Sequence, residues 1–202
     1  MFAVGHALYN QRHMSPKNIA YIDGANLHKG AEQLGWILDY ARLKVWLRDK
    51  YDVQQVYLFL GLIPKYKNLY NSLQEKGFTL VFKEVIYDSD GKVKGNCDAD
   101  IVVHVMKGAY EGLFDKVVLV SSDGDYASLV SFLLEKNKIL TVLSPYETKK
   151  CSVLLKRTGV PIAYISDQKN ILQTRVEDIV EVQVPIEMPA ENKKAPDADG
   201  TA

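Results

Sequence analysis

Apolar runs of strand length alternate with segments of helical period from "NIAYID" (18–23) to "PIAYIS" (161–166), and this alternation restricts the chain to few folds. "KVVLVSS" and "KILTVLS" are nearly continuous in apolar residues, without the in-out alternation of a strand that has one wet face. Such strands belong inside a sheet covered on both sides. "VQQVYLFL" reads as strand two and "FTLVFKEVIY" as strand three. Between strands, "YARLKVWLRDKY" repeats Leu43, Trp46 and Leu47 at i, i+3, i+4 behind Asp39 as N-cap. "PKYKNLYNSLQEKG" has Pro64 near its start and Gly77 past its end, while "CDADIVVHVMKGAY", "YASLVSFLLEKN" and "KKCSVLLKRTG" also read as helices. The prediction is an α/β chain, a three-layer α/β/α sandwich around a mostly parallel sheet, since right-handed crossovers leave few other topologies. The expected strand order is 3-2-1-4-5, with the sixth strand short or outside the main order. "DSDGKVKG" carries a D-G turn signal and is expected to be a loop.

An open parallel sheet binds ligands beyond the carboxyl ends of its strands, where strand order reverses. In the expected order strands one and four meet there. Asp23 ends the first and Asp123 of "LVSSDGDY" follows the fourth, so their carboxylates should converge. Asp125 lies two residues past Asp123, across Gly124, whose missing side chain lets the backbone bend toward one cavity. In "NCDAD", at 100° per residue, Asp98 projects within roughly 60° of the stripe Ile101, Val102, Val105 and Ala109 that must face the sheet. Asp100 projects near the opposite side and is expected in solvent. Each acid has a plainer use as a helix cap or turn former.

Four carboxylates around one cavity repel each other unless a cation neutralises them, and an all-oxygen set selects hard ions, Mg²⁺ or Mn²⁺. His6, His13, His28 and His104 show no ligand spacing among themselves. A divalent ion held by few carboxylates activates water and stabilises charge on a phosphoryl oxygen, so phosphodiester hydrolysis is the chemistry implied. Asn26 of "YIDGANL" has an amide able to orient Asp23, or shape a turn.

The 25 basic and 25 acidic residues balance, so attraction to a polyanion has to come from local patches. Two cysteines, Cys97 and Cys151, stand in no metal-ligand spacing and fit a reducing, cytoplasmic setting better than a disulfide framework. No apolar run approaches the roughly 18 to 20 residues that cross a bilayer. The expected ordered domain spans 18–183, after an N-terminal extension (1–17). From Val184 the chain loses its aromatics and gains proline and charge, so 184–202 is expected to be a disordered tail.

With these residues in place, the chain resembles the NYN domain family, a branch of the PIN-like nuclease fold, from about Asn18 to Ile165. "YIDGANL" is similar to that family's D-G-x-N opening, "KGNCDADIVVHVM" to its central acidic helix start, and "VLVSSDGDYASLV" to its S-[GS]-D-x-D-[FY] block. The resemblance implies an acidic Mg²⁺ or Mn²⁺ site and ribonuclease activity, with Asp23, Asp98, Asp123 and Asp125 as catalytic acids and metal ligands and Asn26 as the conserved amide. One position departs: His104 stands where many members carry a further aspartate. It is expected at a partly exposed edge, with a place flanking the site as the alternative.

A nuclease must also hold its polyanion, here expected to be single-stranded RNA. Lys149, Lys150, Lys156 and Arg157, at i and i+7 in "KKCSVLLKRTG", would share one helical face, and Lys94, Lys83 and Lys29 flank the acidic blocks. The plain alternative is a solvated lysine face. Tyr126 and Tyr146 could stack bases, or pack. Cys97 would be a nucleophile only with a lowered thiol pKa and a nearby base. A haloacid-dehalogenase type phosphatase needs a second aspartate where Ala25 stands. The stronger rival is a catalytically inactive RNA-binding or protein-interaction module of the same fold, since fold does not guarantee activity. A homodimer would lengthen the basic surface.

Overall fold

The computed structural model describes residues 17–87, 93–94 and 97–175, with the side chains of 86, 87, 93 and 94 left out. The expected tail, residues 1–16 and the side chain of Lys94 lie outside that description.

Six parallel strands form the main sheet: β1 (Asn18–Asp23), β2 (Val53–Gly61), β3 (Thr79–Lys83), β6 (Val117–Val120), β7 (Ile139–Ser144) and β8 (Ile162–Tyr164). Their order is β3-β2-β1-β6-β7-β8, which in main-sheet strands alone is 3-2-1-4-5-6. The sixth strand is short but belongs to the sheet, hydrogen-bonded beside β7. Order reverses between β1 and β6, where Ile22 is level with Val120.

Alternate residues of the central strands enter two separate cores. Ala20, Ile22, Val118 and Val120 face one core, while Ile19, Tyr21, Val117 and Leu119 face the other. That is why these strands are apolar throughout. The first core is closed by α1 (Gly24–Glu32), α2 (Tyr40–Tyr51), α3 (Lys67–Glu75) and α7 (Lys169–Leu172), through Leu27, Leu43, Trp46, Leu47, Tyr70, Leu73 and Leu172. The second is closed by α4 (Asp98–Glu111), α5 (Ala127–Glu135) and α6 (Val153–Arg157), through Ile101, Val105, Leu129, Val130, Leu133 and Leu155.

Three expectations need correcting. "FTLVFKEVIY" is not one strand: β3 ends at Lys83, and Ile86–Tyr87 (β4) pairs antiparallel with Val93–Lys94 (β5) instead, so the expected loop contains a strand. Helix α1 was not foreseen, because "GANLHKGAE" holds a single large apolar residue, Leu27, among glycines and an asparagine that read as a turn; it starts directly after β1, its first turn capped by Asp23. "KKCSVLLKRTG" is helical only from Val153, because Ser152 turns its hydroxyl onto the Leu154 N–H and acts as the N-cap.

Candidate metal centre

Asp23 closes β1 almost buried, and its Oδ1 accepts the backbone N–H of Asn26 at 3.0 Å, which caps α1. The capping use and the place at the sheet edge coexist in one residue. Across the reversal, β6 runs on into Ser121, Ser122 and Asp123, and a 3₁₀ turn (Gly124–Tyr126) carries Asp125 outward before α5 begins. Asp123 Oδ1 accepts the Asp125 N–H at 3.2 Å, fixing the hand of that turn. Gly124 has a different reason from the one expected. A Cβ there would lie 2.5 Å from Ser152 Oγ and 3.1 Å from Leu154 Cδ1, so the glycine makes room for the start of α6 to dock against the turn.

Asp98 stands in the first turn of α4, half-buried, and Asp100 stands exposed, as the helical projection indicated. Asp98, Asp123 and Asp125 can each bring a carboxylate oxygen within 4.8 Å of the others. Asp23 joins this group through hydroxyls. Tyr126 Oη donates to Asp98 Oδ1 at 2.6 Å and lies 3.4 Å from Asp23 Oδ2. Ser121 Oγ lies 3.5 Å from the same Asp23 oxygen and accepts the Asp123 N–H at 3.1 Å. Residues from β1, the α4 start and the segment after β6 thus meet in one place. The donor set is all carboxylate, which fits a hard divalent cation and not a thiolate- or imidazole-seeking one.

Asn26 does not turn its amide onto Asp23. Its Oδ1 accepts the buried backbone N–H of Ser122 at 2.9 Å, tying α1 to the residue before Asp123. Behind it, Ser144 donates to the Tyr146 carbonyl at 2.7 Å, so the 2.8 Å contact between Ser122 and Ser144 hydroxyls has Ser122 as donor. This polar line through β6 and β7 was legible only as serines at strand ends, "VSS" and "VLS".

The remaining candidates separate. Tyr126 is no stacking platform, for its ring is fully buried in the second core. Burial and the facing Asp23 drive its hydroxyl pKa far above the ordinary value. Cys97 precedes Asp98, but burial, with Asp23 and Asp100 nearby, pushes its thiol up to about 12, the opposite of what a nucleophile needs. His104 is half-buried and packs against Tyr57 at 4.8 Å, with Phe59 and Tyr21 at 5.6 and 5.7 Å between ring centres. It is outside the carboxylate trio, and burial lowers its pKa.

Because α6 is short, Lys149 and Lys150 sit in the turn before it and not on a face shared with Lys156 and Arg157. Lys150 Nζ contacts Gln33 at the end of α1, and Lys156 Nζ donates to the Thr148 carbonyl at 2.5 Å. Lys149 and Arg157 are exposed, and Tyr146 is half-buried. At the end of β3, Lys83 pairs with Asp100 at 2.6 Å, a contact that sequence periodicity could not supply because it joins a sheet edge to a helix.

The NYN domain profile matches residues 18–170. The chain belongs to the NYN domain family. It is 26% identical over 140 residues to the low amplitude and bright protein LabA of Synechococcus elongatus, an alignment covering 64% of this chain and 74% of that one. Its fold superposes on a crystal structure of a protein of unknown function from Vibrio parahaemolyticus with a TM-score of 0.62 and 25% identity, over 77% of this chain and 96% of that one. The T5 D15 protein, crystallised with metal ions, is more distant, with a TM-score of 0.35 and 16% identity over 56% and 51% of the two chains. Among the described residues, no helix is long and apolar enough to cross a membrane.

Proposed function

We propose that this NYN domain is a metal-dependent ribonuclease that hydrolyses phosphodiester bonds in single-stranded RNA in the cytoplasm. The observation that carries the reading is the carboxylate trio Asp98, Asp123 and Asp125, within 4.8 Å of one another, with Asp23 linked to Asp123 through the Ser121 hydroxyl. These residues would hold Mg²⁺ or Mn²⁺, and the ion supplies stabilisation of charge building on the phosphoryl oxygens. The chain's own contribution is to bring acids from three distant segments to one edge and keep them there. Asp23 and Asp123 are fixed by backbone donors and by Ser121, and Asn26 clamps the strand end that carries Asp123.

Lys83 is the basic residue whose position favours phosphate contact, since the Lys83–Asp100 pair is rooted two residues from Asp98. Lys149, Lys150, Lys156, Arg157 and Lys94 are the further candidates for phosphate contact, Lys149 and Arg157 being exposed. An electrostatic hold of this kind is independent of sequence. Expected cleavage of a labelled single-stranded RNA requires Mn²⁺ and is lost in Asp23→Asn and Asp123→Asn. Equal cleavage by both variants assigns the activity to contamination and ends the reading. RNA that binds but stays whole across substrates and metals turns the assignment to a binding module of the same fold.

A further inference from the structure

We propose that Tyr126 is a positioning residue for the metal centre: its hydroxyl holds the Asp98 carboxylate in the one orientation in which that group can join Asp123 and Asp125 on a divalent cation. The inference rests on the metal site of the functional reading and goes beyond it by assigning cation affinity to a group that is not itself a ligand.

The ring of Tyr126 lies wholly within the second core, with no exposed surface. Its hydroxyl is therefore placed by packing, and little conformational freedom is left in it. At 2.6 Å the bond to Asp98 Oδ1 is a short, charge-assisted one. Asp98 itself is half-buried in the first turn of α4. With Oδ1 held by a fixed hydroxyl, turning about the terminal bond is restricted, and the direction of the second oxygen with it.

A phenolic hydroxyl has one hydrogen to donate. Spent on Asp98, it leaves the 3.4 Å approach to Asp23 Oδ2 as one oxygen facing another, so a neutral atom separates two carboxylates at the centre of the cluster. Tyr126 thus spaces the acids as well as orienting one of them. Partners that orient a metal's ligands from outside are worth about 10- to 100-fold in metal affinity.

The test is Mn²⁺ binding to the full chain, followed by the paramagnetic resonance signal of free Mn²⁺, with no nucleic acid present. Tyr126→Phe removes one oxygen and keeps the ring that fills the core; circular dichroism checks that the variant is folded. Its affinity is expected to fall about 10- to 100-fold. Because the hydroxyl acts through Asp98, adding Tyr126→Phe to Asp98→Ala is expected to change the residual affinity no further. Unchanged affinity in Tyr126→Phe, or an equal loss in both backgrounds, overturns the proposal, the second by assigning Tyr126 a structural role alone. A wild-type chain that holds no Mn²⁺ at millimolar concentration overturns it too. Wild-type protein that binds Mn²⁺ but leaves RNA whole defeats the ribonuclease reading and leaves this inference to be decided by the variants.

Discussion

Asn26→Ala removes the side-chain oxygen that accepts the Ser122 N–H, and the magnitude of the damage follows from where that N–H lies. Ser122 is 5% exposed, so water cannot replace the lost acceptor without opening the strand end. An unsatisfied buried donor costs about 1–3 kcal/mol, more than the net worth of an ordinary hydrogen bond. For a domain of this size each kcal/mol moves the melting temperature by about 2–4 °C, so a drop of about 2–12 °C is expected. Asn26→Asp separates the clamp from the charge. It keeps an acceptor for Ser122, so thermal stability should fall less than in Asn26→Ala, while a further negative charge enters beside Asp23. Calorimetry of both variants without metal is the assay. Should Asn26→Ala melt with the wild type, the Ser122 bond contributes nothing and the clamp is refuted.

Gly124→Ala should destabilise the fold by about 1–3 kcal/mol, as measured by urea unfolding, because the added methyl meets Ser152 and Leu154 where α6 docks. Lys83→Met should weaken RNA binding and reduce the slope of log K against log salt by about 0.7, measured by fluorescence anisotropy, and an unchanged slope removes Lys83 from the interface. Burial depresses the pKa values of His28 and His104 below their ordinary value of 6.5, so both favour the neutral form when folded. Their contribution to stability is full above about pH 6.5 and is lost as pH falls through the depressed values; melting followed downward from pH 7.5 should show that loss, reduced in His104→Gln.

The sheet was readable because a strand buried on both faces leaves a run of apolar residues that no surface strand needs, and β6 and β7 have such runs. The expectation for Asp23, Asp98 and Asp123 came from strand order and helix projection, and that for Asp125 from its spacing across Gly124, where the glycine turns out to serve the docking of α6. What escaped were features set by close contact between elements distant in sequence. Helix α1 is held by Leu27 and the Asp23 cap, with Gly24 close against Leu60 and the Phe59 carbonyl, and a segment with one large apolar residue does not announce such contacts. The basic face failed on one residue, since Ser152 caps the helix and cuts Lys149 and Lys150 out of it. For Tyr126 the sequence left stacking and packing both open, and only the fold shows the ring buried with its hydroxyl on Asp98.

The β1–β6 pairing has a consequence for the birth of the protein. Asp23 is made early, yet its strand borders β2 on one side and β6 on the other. Until the ribosome has released the segment through Asp125, the acids have no common edge on which to gather, and a growing chain has no finished cation site. The order of synthesis therefore leaves Asp23 waiting at the end of β1 until β6 emerges to complete that edge, while β7 and β8 are still to come.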